Sequence, residues 1–209
     1  MKRDAKEDLD MSTLSASAPV PTSHDRRWHV VFGAWLVLAL LASALGVITP
    51  ARMALVPLSI TGGTLALVLA YRRVPSFRAF AQRVDLRVPI LFHFVRLPIG
   101  AGFLVLASQG RLDPTFATIA GYGDIVAGGL ALVAALAFPS RLAIVRVWNV
   151  IGLADILVVV ATAQRILFFS GHPETMSGMA AFPWSVIPTF VVPVVIATHL
   201  LVFSATRRP

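Results

Sequence analysis

Apolar and polar positions along the 209-residue chain do not alternate. They separate into six long apolar runs broken by short polar interruptions. The runs are Trp28–Ile48, Met53–Tyr71, Val88–Ala107, Phe116–Phe138, Val147–Ser170 and Trp184–Phe203. Each is close to the roughly 20 residues that a helix needs to cross a hydrocarbon core about 30 Å thick. A barrel strand would alternate its polarity, so continuous apolar runs point to helices. The interruptions, such as Thr49-Pro50-Ala51-Arg52, Gln109-Gly110-Arg111-Leu112-Asp113-Pro114 and Gly171-His172-Pro173-Glu174, are too short to hold a further domain. The expectation is an all-α, polytopic integral membrane bundle of six transmembrane helices over 28–203. A disordered tail of residues 1–27 precedes it and a short tail, 204–209, follows.

One segment between runs is long enough for structure of its own. In Val74–Arg87, Phe77, Phe80 and Val84 interleave with Arg78, Gln82 and Arg83. That spacing suits a short amphipathic helix lying on the membrane surface, with a solvated loop as the equal alternative. Ala42-Ser43-Ala44 resembles a signal-peptidase site. The long charged region before the first run and the continuation of that run past the site favour a retained span.

Composition agrees with the pattern. Hydrophobic residues make up 57% of the chain and charged residues 13%, at a mean hydropathy of +0.80, far from the soluble globular average. With no cysteine, disulfide frameworks and thiolate metal sites are excluded. The net charge of +8 would suit a nucleic-acid partner until the basic residues are placed. Lys2, Arg3, Lys6, Arg26, Arg27, Arg72, Arg73, Arg78, Arg83, Arg87, Arg141, Arg146, Arg207 and Arg208 fall on one side of the six spans, and only Arg52 and Arg111 on the other. The positive-inside rule puts both termini in the cytoplasm of a cell (plasma or inner) membrane. Anionic headgroups, rather than nucleic acid, then account for the charge.

Polar groups are distributed unevenly among the spans. The first two are almost purely apolar, whereas the last four hold His93, Arg96, Asp124, Asn149, Asp155 and His199. An ionisable side chain at mid-bilayer costs about 2.5–3.5 kcal/mol or more and persists when it is partnered or useful. At about 1.5 Å per residue, Arg96 and Asp155 each lie roughly 12 Å from the cytoplasmic end of their spans, and Asp124 about as far from the outer end. Helical spacing groups His93, Arg96, Gly100 and Phe103 on one face, and Trp148, Gly152, Asp155, Val159 and Thr162 on another. Ala117, Gly121, Asp124, Gly128 and Ala135 form a small-residue seam, equally suited to packing within one chain or between two copies. The expected arrangement pairs Arg96 with Asp124, Asp155 or both. Pro98 and Pro193 free the carbonyls of Phe94 and Thr189, placing helix breaks near these groups.

Three functions suit such a chain. The first is a carrier of a small solute or ion, with Arg96 on an anionic group and a carboxylate handling a proton or cation; Asn149, His93 and His199 complete the binding set. The second is a membrane-embedded oxidoreductase holding a haem or metal between His93 and His199. His172, Met176 and Met179 in the last outer loop offer soft ligands for copper as a further metal variant. The third is an assembly subunit whose ion cluster only fixes helix packing. No phosphate loop, GxSxG, HExxH or CxxC motif occurs, and the absence of lysine from every span excludes a retinal Schiff base.

Overall fold

The structure, a computed structural model, describes residues 23–53 and 55–207. Among these residues it is all-helical. In chain order the helices are α1 (Ser23–Ala44), α2 (Leu55–Arg73), α3 (Pro75–Arg83), α4 (Arg87–Phe92), α5 (Arg96–Ser108), α6 (Pro114–Ala137), α7 (Leu142–Phe169) and α8 (Val192–Thr206). A 3-10 turn, His93–Val95, joins α4 to α5, and five residues of π-helix, Ile187–Val191, lead into α8. Six helical stretches are long and apolar enough to cross a membrane: Asp25–Ala44, Leu55–Arg73, Arg87–Ser108, Pro114–Ala137, Leu142–Phe169 and Ile187–Thr206. Many of their large apolar side chains point outward, including Leu38, Leu41, Leu58, Val88, Leu136 and Phe169. Soluble monomers rarely present so extensive an apolar surface.

The boundaries depart from the sequence reading in instructive places. Ser23–Arg27, assigned to a disordered tail, are helical, and residues 1–22 lie outside the described residues. At the other end Ser204–Thr206, assigned to the C-terminal tail, belong to α8. The first helix stops at Ala44, because Gly46 takes φ +64° and turns the chain four residues before the apolar run is exhausted. The fifth crossing starts at Leu142 rather than Val147. Arg146, read as a boundary charge, instead lies within α7 and donates through Nε and Nη2 to the carbonyl of Thr206, capping α8. The sixth crossing begins at Ile187, since Trp184 belongs to the preceding loop. Asp113 accepts from the amide of Phe116 at 2.9 Å while Pro114 takes the first helical position, an N-cap that starts α6 two residues earlier than expected.

The core is built around α6. Its buried face is Ala117, Ala120, Gly121, Asp124, Ala127, Gly128, Ala131, Ala134 and Ala135, and small residues of this kind let backbones approach closely. α5 and α7 flank α6, while α8 and the π segment pack between α7 and α2. α1 leans on α3 and the π segment, outside this group. The Arg-rich segment between the second and third crossings is the short helix α3. Its Phe77 and Ala81 are buried, and Phe77 stacks near Trp28 and Phe32 of α1.

Candidate functional site

The chain breaks its third crossing where the first charge lies. Pro98 cannot bond to the carbonyl four residues back, at Phe94. Phe94 lies in the 3-10 turn from which α5 emerges at Arg96. Arg96 points into the bundle and is 2% exposed. Its Nε donates to Asp124 Oδ1 of α6 at 2.6 Å, its Nη2 to Asp155 Oδ2 of α7, and its Nη1 to the Gly152 carbonyl at 3.2 Å. One guanidinium therefore ties α5 to both neighbouring helices, using three of its five N–H donors. Asp124 is buried, whereas the Asp155 side chain keeps 18% of its surface exposed. Asp155 lies over Gly123, where a Cβ would collide with its carboxylate.

Toward the end of the bundle that holds the C-terminal end of α8, the cluster continues through aromatic and amide groups. His93 and His199 are fully buried, their ring centroids 4.1 Å apart at 49°. Trp148 packs on both at 5.1 and 5.3 Å and donates its indole N–H to the Ala127 carbonyl. Asn149 grips His199 twice. Its Nδ2 donates to the His199 carbonyl at 3.1 Å, so its Oδ1, 2.8 Å from His199 Nδ1, accepts the ring N–H. His199 is therefore the Nδ1–H tautomer. The Thr198 hydroxyl donates to the Val194 carbonyl at 2.8 Å and is left to accept from His93 Nε2 at 3.0 Å, which makes His93 the Nε2–H tautomer. Each ring keeps one bare nitrogen, and both bare nitrogens, His93 Nδ1 and His199 Nε2, are buried without a partner. A Cβ on Gly152 would be 3.0 Å from His199 Nε2 and 3.6 Å from Arg96 Nη1. The histidine pair and the ion cluster thus adjoin across this one glycine.

All six residues singled out from the sequence, His93, Arg96, Asp124, Asn149, Asp155 and His199, lie in this continuous cluster. Sequence reasoning put Gly152 on the face of Asp155 without seeing that it supplies a carbonyl and the space for His199. It also missed Thr198, whose hydroxyl fixes the tautomer of His93. Thr198 shares the helix of His199, but nothing in its spacing distinguishes it from an ordinary hydroxyl bonded back to its own helix.

Haem does not fit between the two histidines. With metal–nitrogen bonds of about 2.0–2.1 Å, rings on opposite sides of a metal have centroids roughly 6 Å apart. Here they touch, with centroids 4.1 Å apart. The loop ligands do not converge either. His172 is exposed and bonds Glu174 Oε1 at 3.1 Å, whereas Met176 and Met179 are buried and turned toward the core. A hydrogen bond from backbone first, and the one from His172 second, hold the Glu174 carboxyl below the usual range. The two methionines instead line a cavity of about 50 Å³, together with Met53, Phe103, Phe116 and Ile187. Asp124 is the one ionisable residue on its wall. The cluster thus has an apolar cavity on one side and the bare imidazole nitrogens on the other.

Six long apolar helices, four of which supply a buried Arg–Asp–Asp–His–His cluster, define the class of this protein. Residues 53–207 match the family model described as Domain of unknown function (DUF8737), and the chain belongs to that family. The matched segment contains every residue of the cluster and leaves out α1. No curated protein and no solved structure matches.

Proposed function

We propose that this chain is a multi-pass protein of the cell membrane, both ends cytoplasmic, that carries a small solute or ion coupled to a proton through the Arg96 cluster. The observation that carries the reading is an imbalance. Arg96 is shared between Asp124 and Asp155, so one guanidinium faces two carboxylates, and two bare ring nitrogens lie beside it. An ion cluster kept only for packing needs neither excess charge nor unfilled acceptors, because both are costly away from water. A proton taken up on one of the ring nitrogens cancels the excess charge and fills one of the two bare acceptors. Asp124 faces the apolar cavity, and Asp155 retains the partial exposure by which the cluster exchanges with its surroundings. The volume of about 50 Å³ suits an ion or a solute of a few atoms, well below the roughly 300–1,000 Å³ of pockets for larger ligands. In this reading the conformation described is the occluded one.

The test uses purified protein in vesicles loaded with a pH-sensitive dye. Gradients of inorganic cations, inorganic anions and small organic acids and amines are imposed in turn. Wild type is expected to move protons with at least one of these gradients, and Asp124→Asn and Asp155→Asn to lose that movement while keeping their helical content. Proton movement in neither wild type nor variants, or equal movement in all three, overturns the reading. The second outcome would assign the cluster to helix packing.

A further inference from the structure

Away from the cluster, an opening lies between α1 and α2. It is a cleft of about 660 Å³ whose walls include Trp28, Phe32 and Trp35 of α1, Gly62 and Gly63 of α2, and Phe77 of α3 at one end. It arises because α1 leans on α3 and the π segment instead of lying along α2. We propose that this cleft is a binding site for one anionic phospholipid, with its hydrocarbon between α1 and α2 and its headgroup on the arginines at the α3 end.

Length selects a lipid. The cleft wall runs from Trp28 to Ala39 on α1 and from Ala70 to Ser59 on α2. Either stretch rises about 16 Å at 1.5 Å per residue, close to half of a hydrocarbon core of roughly 30 Å. The cleft therefore spans one leaflet and ends near the middle of the membrane. Charge selects the headgroup. Arg26 and Arg27 start α1, Arg72 and Arg73 end α2, and Arg78 and Arg83 lie on α3, all exposed around the α3 end of the cleft. Three of the six already have partners: Arg83 bonds Asp25 at 2.6 Å, Arg78 donates to the carbonyls of Tyr71 and Arg72, and Arg27 lies over the Trp28 ring at 5.8 Å. Basic residues near a membrane surface attract anionic lipid by about 1 kcal/mol each, about fivefold in affinity.

Trp28 and Trp35 line the cleft, so the full-length protein carries its own reporter. It is reconstituted in zwitterionic vesicles containing a small fraction of phospholipid brominated on its acyl chains, with either an anionic or a zwitterionic headgroup. The anionic lipid is expected to quench tryptophan emission with at least fivefold higher apparent affinity, and Trp28→Phe with Trp35→Phe to remove most of that quenching. Arg27→Gln with Arg72→Gln should erase the headgroup preference. Gly62→Leu fills the cleft from a position where a Cβ meets nothing within 4 Å and should weaken quenching by both lipids. Equal quenching by the two headgroups in wild type overturns the proposal and needs no variant to fold. Quenching by the anionic lipid that Gly62→Leu leaves unchanged overturns it as well.

Discussion

Gly128 and Gly129 are consecutive in α6, and replacing each by alanine separates close packing from helix preference. A Cβ on Gly129 meets nothing within 4 Å, whereas one on Gly128 would lie 2.8 Å from the backbone nitrogen of Leu97 and 3.2 Å from the carbonyl of His93. The nearest of these atoms belongs to a helix backbone, so it cannot rotate away. Ordinary contact begins at 3.4 Å. α6 and the start of α5 must therefore part by about 0.6 Å, an overpacking of the kind that costs about 1–3 kcal/mol. The displaced segment carries Arg96, whose bond to Asp124 would stretch from 2.6 Å to about 3.2 Å, the edge of hydrogen-bond range. A charge-assisted bond contributes about 1.5–3 kcal/mol, and losing part of it brings the local cost to about 2–4 kcal/mol. Both variants gain up to about 1 kcal/mol from replacing a helical glycine, so this gain cancels in their difference. Gly128→Ala is expected to be less stable than Gly129→Ala by about 2–4 kcal/mol, measured by reversible denaturation in mixed micelles with circular dichroism. Equal stabilities would refute the inference that α6 and α5 meet backbone to backbone at Gly128.

Three further outcomes follow from the cluster. Arg96→Met leaves two carboxylates without their guanidinium and should cost about 3–5 kcal/mol, the usual penalty for stranding one side of a buried pair. Adding Asp124→Asn and Asp155→Asn should recover most of it in the same micelle assay. Gly123→Ala displaces the carboxylate of Asp155 from its place beside Arg96 and meets no backbone atom among its nearest contacts. It should therefore leave the fold intact while removing proton movement in vesicles, and retention of that movement would free Asp155 from its assigned part. Nitrogen-15 spectra of histidine-labelled protein should report an Nδ1–H tautomer for His199 and an Nε2–H tautomer for His93. Asn149→Ala should disturb the first and spare the second.

Much of this arrangement is legible in the residues themselves. A charge near the middle of a long apolar run turns inward, so Arg96, Asp124 and Asp155 could be placed together from helical spacing and depth, whereas Arg165, nearer the end of its run, is exposed. The small-residue seam of α6 marked a helix face suited to close packing, and that face is buried against its neighbours. The purely apolar character of the first two runs fits the place of α1 at the edge of the bundle. Other features depend on neighbours that no local pattern names. Arg146 reads as the end of a span until Thr206 comes beside it, since an arginine at a boundary can point to water or cap another helix with the same sequence around it. The histidines suggested ligation because facing rings and touching rings cannot be told apart without the crossing angle of their helices. Met176 and Met179 read as loop ligands because a loop folding back into the core leaves no periodic trace over eight residues.

The alanine and glycine face of α6 has a mechanical corollary. Such residues have no side-chain torsions to reorganise, so helices resting on them can slip lengthwise with little friction. Larger side chains interlock and must jump between rotamers to do the same. If the bundle alternates between two shapes, α6 is the rail and α5 and α7 are the parts that travel, with Arg96 as the latch between them. Spin labels on α5 and α7 should change separation when that latch is removed, while a pair placed within α6 stays fixed.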